Sequence, residues 1–397
     1  MEPEHSPFRP GQPADIELFI GRSQQISEVT QLVKNSANDR FQIGFLTGER
    51  GIGKTSLASF SQHLVERDAT AATSHVMLGG IKSLDRFVQR TLEHIIKDNA
   101  DRPWYRTILA IFGERVESVG LFGVSINLRF TPAEMQEVTN AFPEALRTIQ
   151  TKLEGNRPAL FIVLDDIDDL AELPDFANWL KSTVDSIAIH RSPTKVTLLL
   201  VGLEETRRSL LALQPSLARV FQVVDIFPWT QEESEGFFTT YFDSVNGTLE
   251  PDALQFMADM TGGLPVVAHE IGDAVYRSTE EYPVVLSDAI GGITNAARIL
   301  GHKMLQPQIV EALQSERYRE ILRILPTGPL TRRFRRSELI DRLPDESVRS
   351  VDAFLRRMRK LGAIAQDPER GRGAYVFTNP AYYMYFWQQS HSVRNGS

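Results

Sequence analysis

Gly48-Glu49-Arg50-Gly51-Ile52-Gly53-Lys54-Thr55 satisfy the spacing G-x-x-x-x-G-K-[ST]. Glycines so placed let successive backbone N–H groups curl around a phosphate, and a helix starting at the lysine adds its own N–H groups and dipole. In that setting Lys54 reaches β- and γ-phosphates and the Thr55 hydroxyl can ligate Mg²⁺. The flanks agree: FQIGFLTG (41–48) predicts a strand entering the turn, and KTSLASFSQHLVER predicts a helix leaving it. A second signal is LFIVLDD (160–166), an apolar strand that ends in two carboxylates. Such a strand delivers Asp165 to the carboxyl edge of a sheet, where it can hold Mg²⁺, and leaves Asp166 to polarise an attacking water. Asp168 and Asp169 read as caps of the next helix or as solvated acids.

The rest of the chain must position these groups. Apolar runs at His75–Leu78, Ala159–Leu164, Val196–Gly202 and Val220–Ile226 alternate with helical patterns, so an α/β fold with a parallel sheet covered on both faces is expected. Between them, VESVGLFGVSINLRF (116–130) is rich in β-branched residues, with Gly120 and Gly123 marking a small hairpin. The pattern is helical from Thr230 to about Leu300, with GGLP (262–265) between two helices. The Pro-rich residues 1–15 read as a flexible tail. At 397 residues the chain holds two or three domains, and its lack of cysteine removes disulfides, thiolate catalysis and Cys-ligated metals. Its eight histidines have no metal-ligand spacing, so no metal beyond Mg²⁺ is expected. No apolar run is long enough to span a bilayer, and MEPEHSPFRPGQPAD is not a signal peptide, which makes the cytosol the expected location.

Net charge is −8, yet residues 317–372 carry fifteen Lys/Arg against eight Asp/Glu, a basic module on an acidic body. Tyr318, Ile321, Leu322 and Leu325 share a helical face, Ser337 can cap a second helix, and residues 347–361 form a third that buries Val351, Phe354, Leu355 and Met358. GAIAQDPERGRGAYVFT then reads as two short strands around an Arg-Gly-Arg-Gly turn. This order looks like a winged helix, whose third helix enters the major groove of DNA. Arg332, Arg333, Arg335, Arg336, Arg356, Arg357, Arg370 and Arg372 are its candidate phosphate contacts. The bland reading is a protein-docking module with a solvated basic face.

Together FIGR (19–22), GERGIGKTS (48–56), LFIVLDDIDDL (160–170) and GGLP resemble the AAA+/STAND group of P-loop ATPases, and within it the origin-recognition-like ATPases of bacteria and archaea, over about residues 16–300. The resemblance implies an ATPase core at 16–229, a helical lid at 230–302 and a winged-helix domain at 303–391. It implies a base pocket of Phe19, Ile20, Gly21 and Arg22, a phosphate cradle of Gly48, Arg50, Gly51, Ile52, Gly53, Lys54, Thr55 and Ser56, and lid contacts from Gly263 and Pro265. Arg219 stands where such proteins place an arginine finger. Gly202 and Leu203 replace the usual polar sensor after the fourth strand, so Thr206 and Arg207 are the substitutes, as in the STAND pattern. Asp166 stands where the family carries a catalytic Glu, and its shorter side chain predicts slow hydrolysis.

The expectation is an ATP- and Mg²⁺-dependent switch that assembles with itself or with partners and binds DNA. The alternative is a STAND-type signalling or antiviral-defence ATPase that recruits a separate effector chain, with the winged helix used for docking. A metabolic kinase fits poorly because no acceptor-substrate domain is visible.

Overall fold

The computed structural model describes residues 6–38, 40–102, 104–113, 116–119, 126–153, 155, 157–189, 193–304, 318, 320–321, 324, 333–367, 370–378 and 382–384. The chain divides into two compact units, Pro13–Phe227 and Met1–Gln12 with Pro228–Ser397.

The strands of the first unit are β1 (Gln42–Thr47), β2 (Ala71–Met77), β3 (Val116–Val119), β4 (Ile126–Leu128), β5 (Ala159–Asp165), β6 (Val196–Gly202) and β7 (Gln222–Asp225). Its helices are α1 (Ser23–Ala37), α2 (Lys54–Arg67), α3 (Leu84–Asp98), α4 (Tyr105–Phe112), α5 (Pro132–Asn140), α6 (Phe142–Leu153), α7 (Pro174–Ile189) and α8 (Glu204–Leu213). Five strands make one parallel sheet in the order β2-β5-β6-β1-β7. Strands β1, β5 and β6 are buried at every residue, which is why their sequences are apolar without alternation. The register aligns the carboxyl ends: Thr47 pairs with Gly202 and Asp225, and Asp165 with Val201 and Met77. One edge of the sheet therefore collects the loops that carry the chemistry. The expected hairpin is present as the antiparallel pair β3–β4, although Gly120 and Gly123 lie outside the described residues. Phe87, Phe142, Phe176 and Trp179 join α3, α6 and α7 by ring contacts of 5.2–6.2 Å.

The second unit contains α9 (Gln231–Asp243), α10 (Pro251–Thr261), α11 (Pro265–Ser278) and α12 (Leu286–Met304). Thr230 and Glu233 form a capping box that starts α9. Residues 1–15 were expected to be a flexible tail, but Phe8 is 3% exposed. Its ring lies 5.1 Å from that of Tyr241 and 5.3 Å from that of Phe242, and burying an aromatic ring outweighs the freedom a polar tail would keep.

After α12 come β8 (Arg333–Arg335), α13 (Arg336–Ile340), α14 (Asp345–Lys360), β9 (Ile364–Gln366) and β10 (Ala374–Phe377). These strands form an antiparallel sheet in the order β8-β10-β9, compatible with a winged helix. Val351, Phe354, Leu355 and Met358 face its core as expected. Ser337 does not cap α13: the helix begins one residue earlier, and the Glu338 carboxylate accepts the Arg335 N–H at 3.0 Å. Tyr318 and Ile321 are described, while Leu322 and Leu325 lie outside the described residues.

Candidate active site

The phosphate-binding loop follows β1 directly. Gly51 and Gly53 have φ of 76° and 94°, and this left-handed backbone lets the chain reverse into α2. Gly53 occupies the N-cap without a side chain to satisfy the first-turn N–H groups, so these remain available to an anion. Lys54 Nζ donates to the Gly48 and Glu49 carbonyls at 2.8 and 2.9 Å. Burial pushes its amine below the usual lysine range, opposed by the nearby charges of Asp168, Asp165 and Asp166. Ile52 is buried and Arg50 exposed. Ser56 is already engaged: its hydroxyl accepts the Ala14 N–H at 3.2 Å.

Four aspartates stand at the end of β5 and in the loop after it, and the structure gives them different surroundings. Asp165, 3% exposed, accepts through Oδ2 from His75 Nε2 at 3.0 Å. Asp168 Oδ1 accepts from the Leu203 N–H at 3.3 Å and from the Thr206 hydroxyl, tying the loop after β5 to the one after β6. Asp169 accepts the Gly80 N–H at 3.1 Å and pairs with Lys82 at 3.4 Å, tying it to the loop after β2. Capping of the next helix or solvation was the sequence reading for both; the following turn has no side-chain cap, and donors on other loops take the carboxylates instead. Asp166 is exposed and has no hydrogen-bond partner among the described residues. Its φ of 59° turns the chain sharply after the strand and brings Oδ2 against Gly79, where any Cβ would collide with it. Burial, then the charges of Asp168 and Asp165, raise its pKa, and Arg50 opposes them.

Other expected residues are placed differently. Phe19 stacks on Phe60 of α2 with ring centres 4.5 Å apart, while Ile20 and Gly21 are half-buried beside it. Arg22 is 6% exposed and its guanidinium donates to the Phe227 carbonyl and, at 3.4 Å, to the Ile52 carbonyl. It is therefore a clasp on the phosphate-binding loop. Arg207 is held by Glu204 within its own helix, with Nε and Nη2 donating at 2.8 and 2.6 Å. Arg219 is exposed at the end of the 3-10 turn Pro215–Arg219. In the second unit Gly263 accepts the Trp229 N–H at 2.8 Å, and Pro265 is the first residue of α11.

The C-terminal arginines also divide. Arg336 makes a bidentate pair with Asp352 at 2.7 and 3.0 Å. Arg333 and Arg370 flank the buried Asp367 at 3.8 and 4.0 Å, and Arg335 Nη2 donates to the Arg370 carbonyl at 3.4 Å. Arg356 and Arg357 are exposed on α14, as is Arg372 in the turn before β10. Arg332 lies outside the described residues.

Sequence reading missed His75. It lies 90 positions from Asp165, and only the β2–β5 pairing brings them together. The oxygen donors Asp165 and Thr55 suit a hard cation such as Mg²⁺, and no cluster of three or more metal-ligating side chains exists among the described residues.

Residues 18–189 match the family model of the AAA ATPase domain. No curated protein sequence matches the chain. Among solved structures it is similar to a Walker-type ATPase of Pyrococcus abyssi, with a TM-score of 0.56 and 16% identity, covering 95% of this chain and 98% of that one. It is also similar to the ORC2 protein of Aeropyrum pernix in its ADPNP–ADP complexes, with a TM-score of 0.55, 14% identity and coverage of 100% and 98%. At these identities the likeness is one of fold.

Proposed function

We propose that this chain, whose residues 18–189 match the family model of the AAA ATPase domain, is a P-loop ATPase that works as a slow ATP-driven switch. The observation that carries the reading is the meeting of the phosphate-binding loop, Lys54, Asp165 and Asp166 at one sheet edge. The open N–H groups of α2 receive the phosphates, and Lys54 leaves the loop carbonyls for their charge. Asp165 and Thr55 would hold Mg²⁺, which when bound neutralises the charge that builds on the phosphate oxygens. Asp166, with no hydrogen bond to hold it and a raised proton affinity, orients the attacking water and takes its proton. Arg219 is exposed, as a finger offered to a second copy must be.

DNA is the proposed partner of the C-terminal module, through Arg356, Arg357 and Arg372. A second reading is favoured by a specific observation. Arg333, Arg335, Arg336 and Arg370 are engaged within the module, which leaves a smaller basic surface and suits docking of a separate protein chain. Fluorescence anisotropy of labelled duplex DNA with ATP, ADP or neither, at two salt concentrations, decides between them. Salt-sensitive binding strengthened by ATP supports the DNA switch. No binding in any nucleotide state refutes it and leaves the docking module.

A further inference from the structure

We propose that His75 is a positioning residue for the metal-side carboxylate, holding one oxygen of Asp165 so that the other is presented to Mg²⁺. The inference rests on the reading of Asp165 as the Mg²⁺ ligand.

Register places the pair. His75 is opposite Val163 in the β2–β5 ladder, and Val163 and Asp165, two residues apart, share a face of the sheet. His75 therefore sits one diagonal step from Asp165, and its Nε2 lies 3.0 Å from Oδ2. A carboxylate oxygen accepts, so Nε2 supplies the N–H of this bond, and the ring's second nitrogen is Nδ1. Ser59 Oγ lies 3.4 Å from that Nδ1. Ser59 is one helical turn beyond Thr55 on α2, so the two project from the same side of the helix. A chain of three side chains thus runs from the helix bearing Thr55 to the strand bearing Asp165.

The histidine is itself fixed. Its backbone N–H donates to Asp98 Oδ2 at 2.9 Å, and the Ser74 hydroxyl donates to the same oxygen at 2.8 Å. Its side chain is 16% exposed and that of Asp165 4%, so little water competes for the bond. With Oδ2 committed to an N–H donor, Oδ1 is the oxygen left for a cation. Outer partners of this kind orient metal-binding groups and change metal affinity ~10–100-fold when removed.

The test uses the full chain and a fluorescent ATP analogue, titrated first in EDTA and then with Mg²⁺, with Tm measured alongside. The expected result is that His75→Ala binds the analogue in EDTA within ~2-fold of the parent but needs ~10-fold more Mg²⁺ for its half-maximal effect. His75→Gln, which offers an N–H to the same oxygen, recovers most of the shift. If His75→Ala does not fold, His75→Leu takes its place. An unchanged Mg²⁺ midpoint, a shift matched by equal loss of affinity in EDTA, or a shift that His75→Gln does not reverse overturns the inference. Asp165→Asn separates the two levels: if it too keeps the parent's Mg²⁺ midpoint, the metal-ligand reading fails and the inference falls with it, whereas a raised midpoint in Asp165→Asn beside an unchanged one in His75→Ala overturns the role of His75 alone.

Discussion

Acidification should loosen the second unit through one side chain. His269 lies on α11, 5% exposed, with its ring 4.9 Å from that of Phe237 and 5.3 Å from that of Tyr241. Its Nδ1 accepts the Arg9 N–H at 3.2 Å, a bond available only to the neutral ring. Burial first, and the Arg9 charge second, lower its pKa from 6.5 to about 4. The unfolded chain therefore takes up the proton before the folded one does. The stabilisation is complete above about pH 6.5 and is lost as pH falls towards 4. That shift corresponds to roughly 3 kcal/mol in full, of which about 2 kcal/mol is gone by pH 5. Protonation also turns Nδ1 into a donor and frees the segment anchored by Phe8. Native-state hydrogen exchange of α9, α11 and residues 6–12 from pH 7.5 to 5 measures both effects. The control is His269→Asn, whose carbonyl can still accept from Arg9 but cannot titrate. Protection in the parent should fall by about 2 kcal/mol more than in the variant over that range. Equal pH dependence in parent and variant would refute the reasoning.

Asp166→Asn should lower kcat roughly 10²–10⁴-fold while analogue affinity stays within ~2-fold, and a loss under ~10-fold in single-turnover assays would remove Asp166 as the base. Gly79→Ala should lower kcat on the order of 10-fold by displacing the Asp166 carboxylate, an effect absent when Asp166 is already Asn. Arg22→Ala should destabilise the first unit by about 2 kcal/mol through loss of charge-assisted bonds to the Ile52 and Phe227 carbonyls, read as a drop in Tm. On the DNA reading, Arg356→Ala with Arg357→Ala should weaken duplex binding and reduce the salt slope by about 1.8, whereas Arg336→Ala should mainly lower Tm.

The parts legible in the sequence were those written in contiguous residues. A phosphate-binding loop needs its glycines, lysine and threonine side by side, and the buried strands before it and before Asp165 are continuous apolar runs. Strand β2 was read only from His75 onward, because Ala71-Ala72-Thr73-Ser74 is small and polar. In the fold those residues are buried between α2 and β5, with Asn99 Nδ2 bonded to the Thr73 carbonyl and Asp98 to the Ser74 hydroxyl. The shortened strand hid His75 as a neighbour of Asp165. Phe8 went unread for a related reason: one aromatic residue in a Pro-rich stretch has no periodicity, and its partners are more than 220 positions away. Charge was legible at Arg22 and Arg207 but partnership was not, since a sequence shows a guanidinium without the carbonyl or carboxylate that occupies it.

The four aspartates at and after the end of β5 show what three dimensions add to such a pattern. In sequence Asp165 and Asp166 read as metal ligand and base from their place at the strand end, and Asp168 and Asp169 as caps or solvated acids, but the partner of none of them is visible. In the fold three are committed to donors on other segments: His75 on β2, Leu203 and Thr206 after β6, and Gly80 and Lys82 after β2. Carboxylates that accept such hydrogen bonds are held in place, which suits ligation and bracing. Asp166 has no such bond, and its proton affinity is raised by burial first and then by the like charges of Asp168 and Asp165. A group that must accept a proton in the transition state is better left without competing donors and with its pKa moved towards neutrality. The bonds that fix its neighbours therefore leave Asp166 as the one carboxylate of the four open to the proposed role of base.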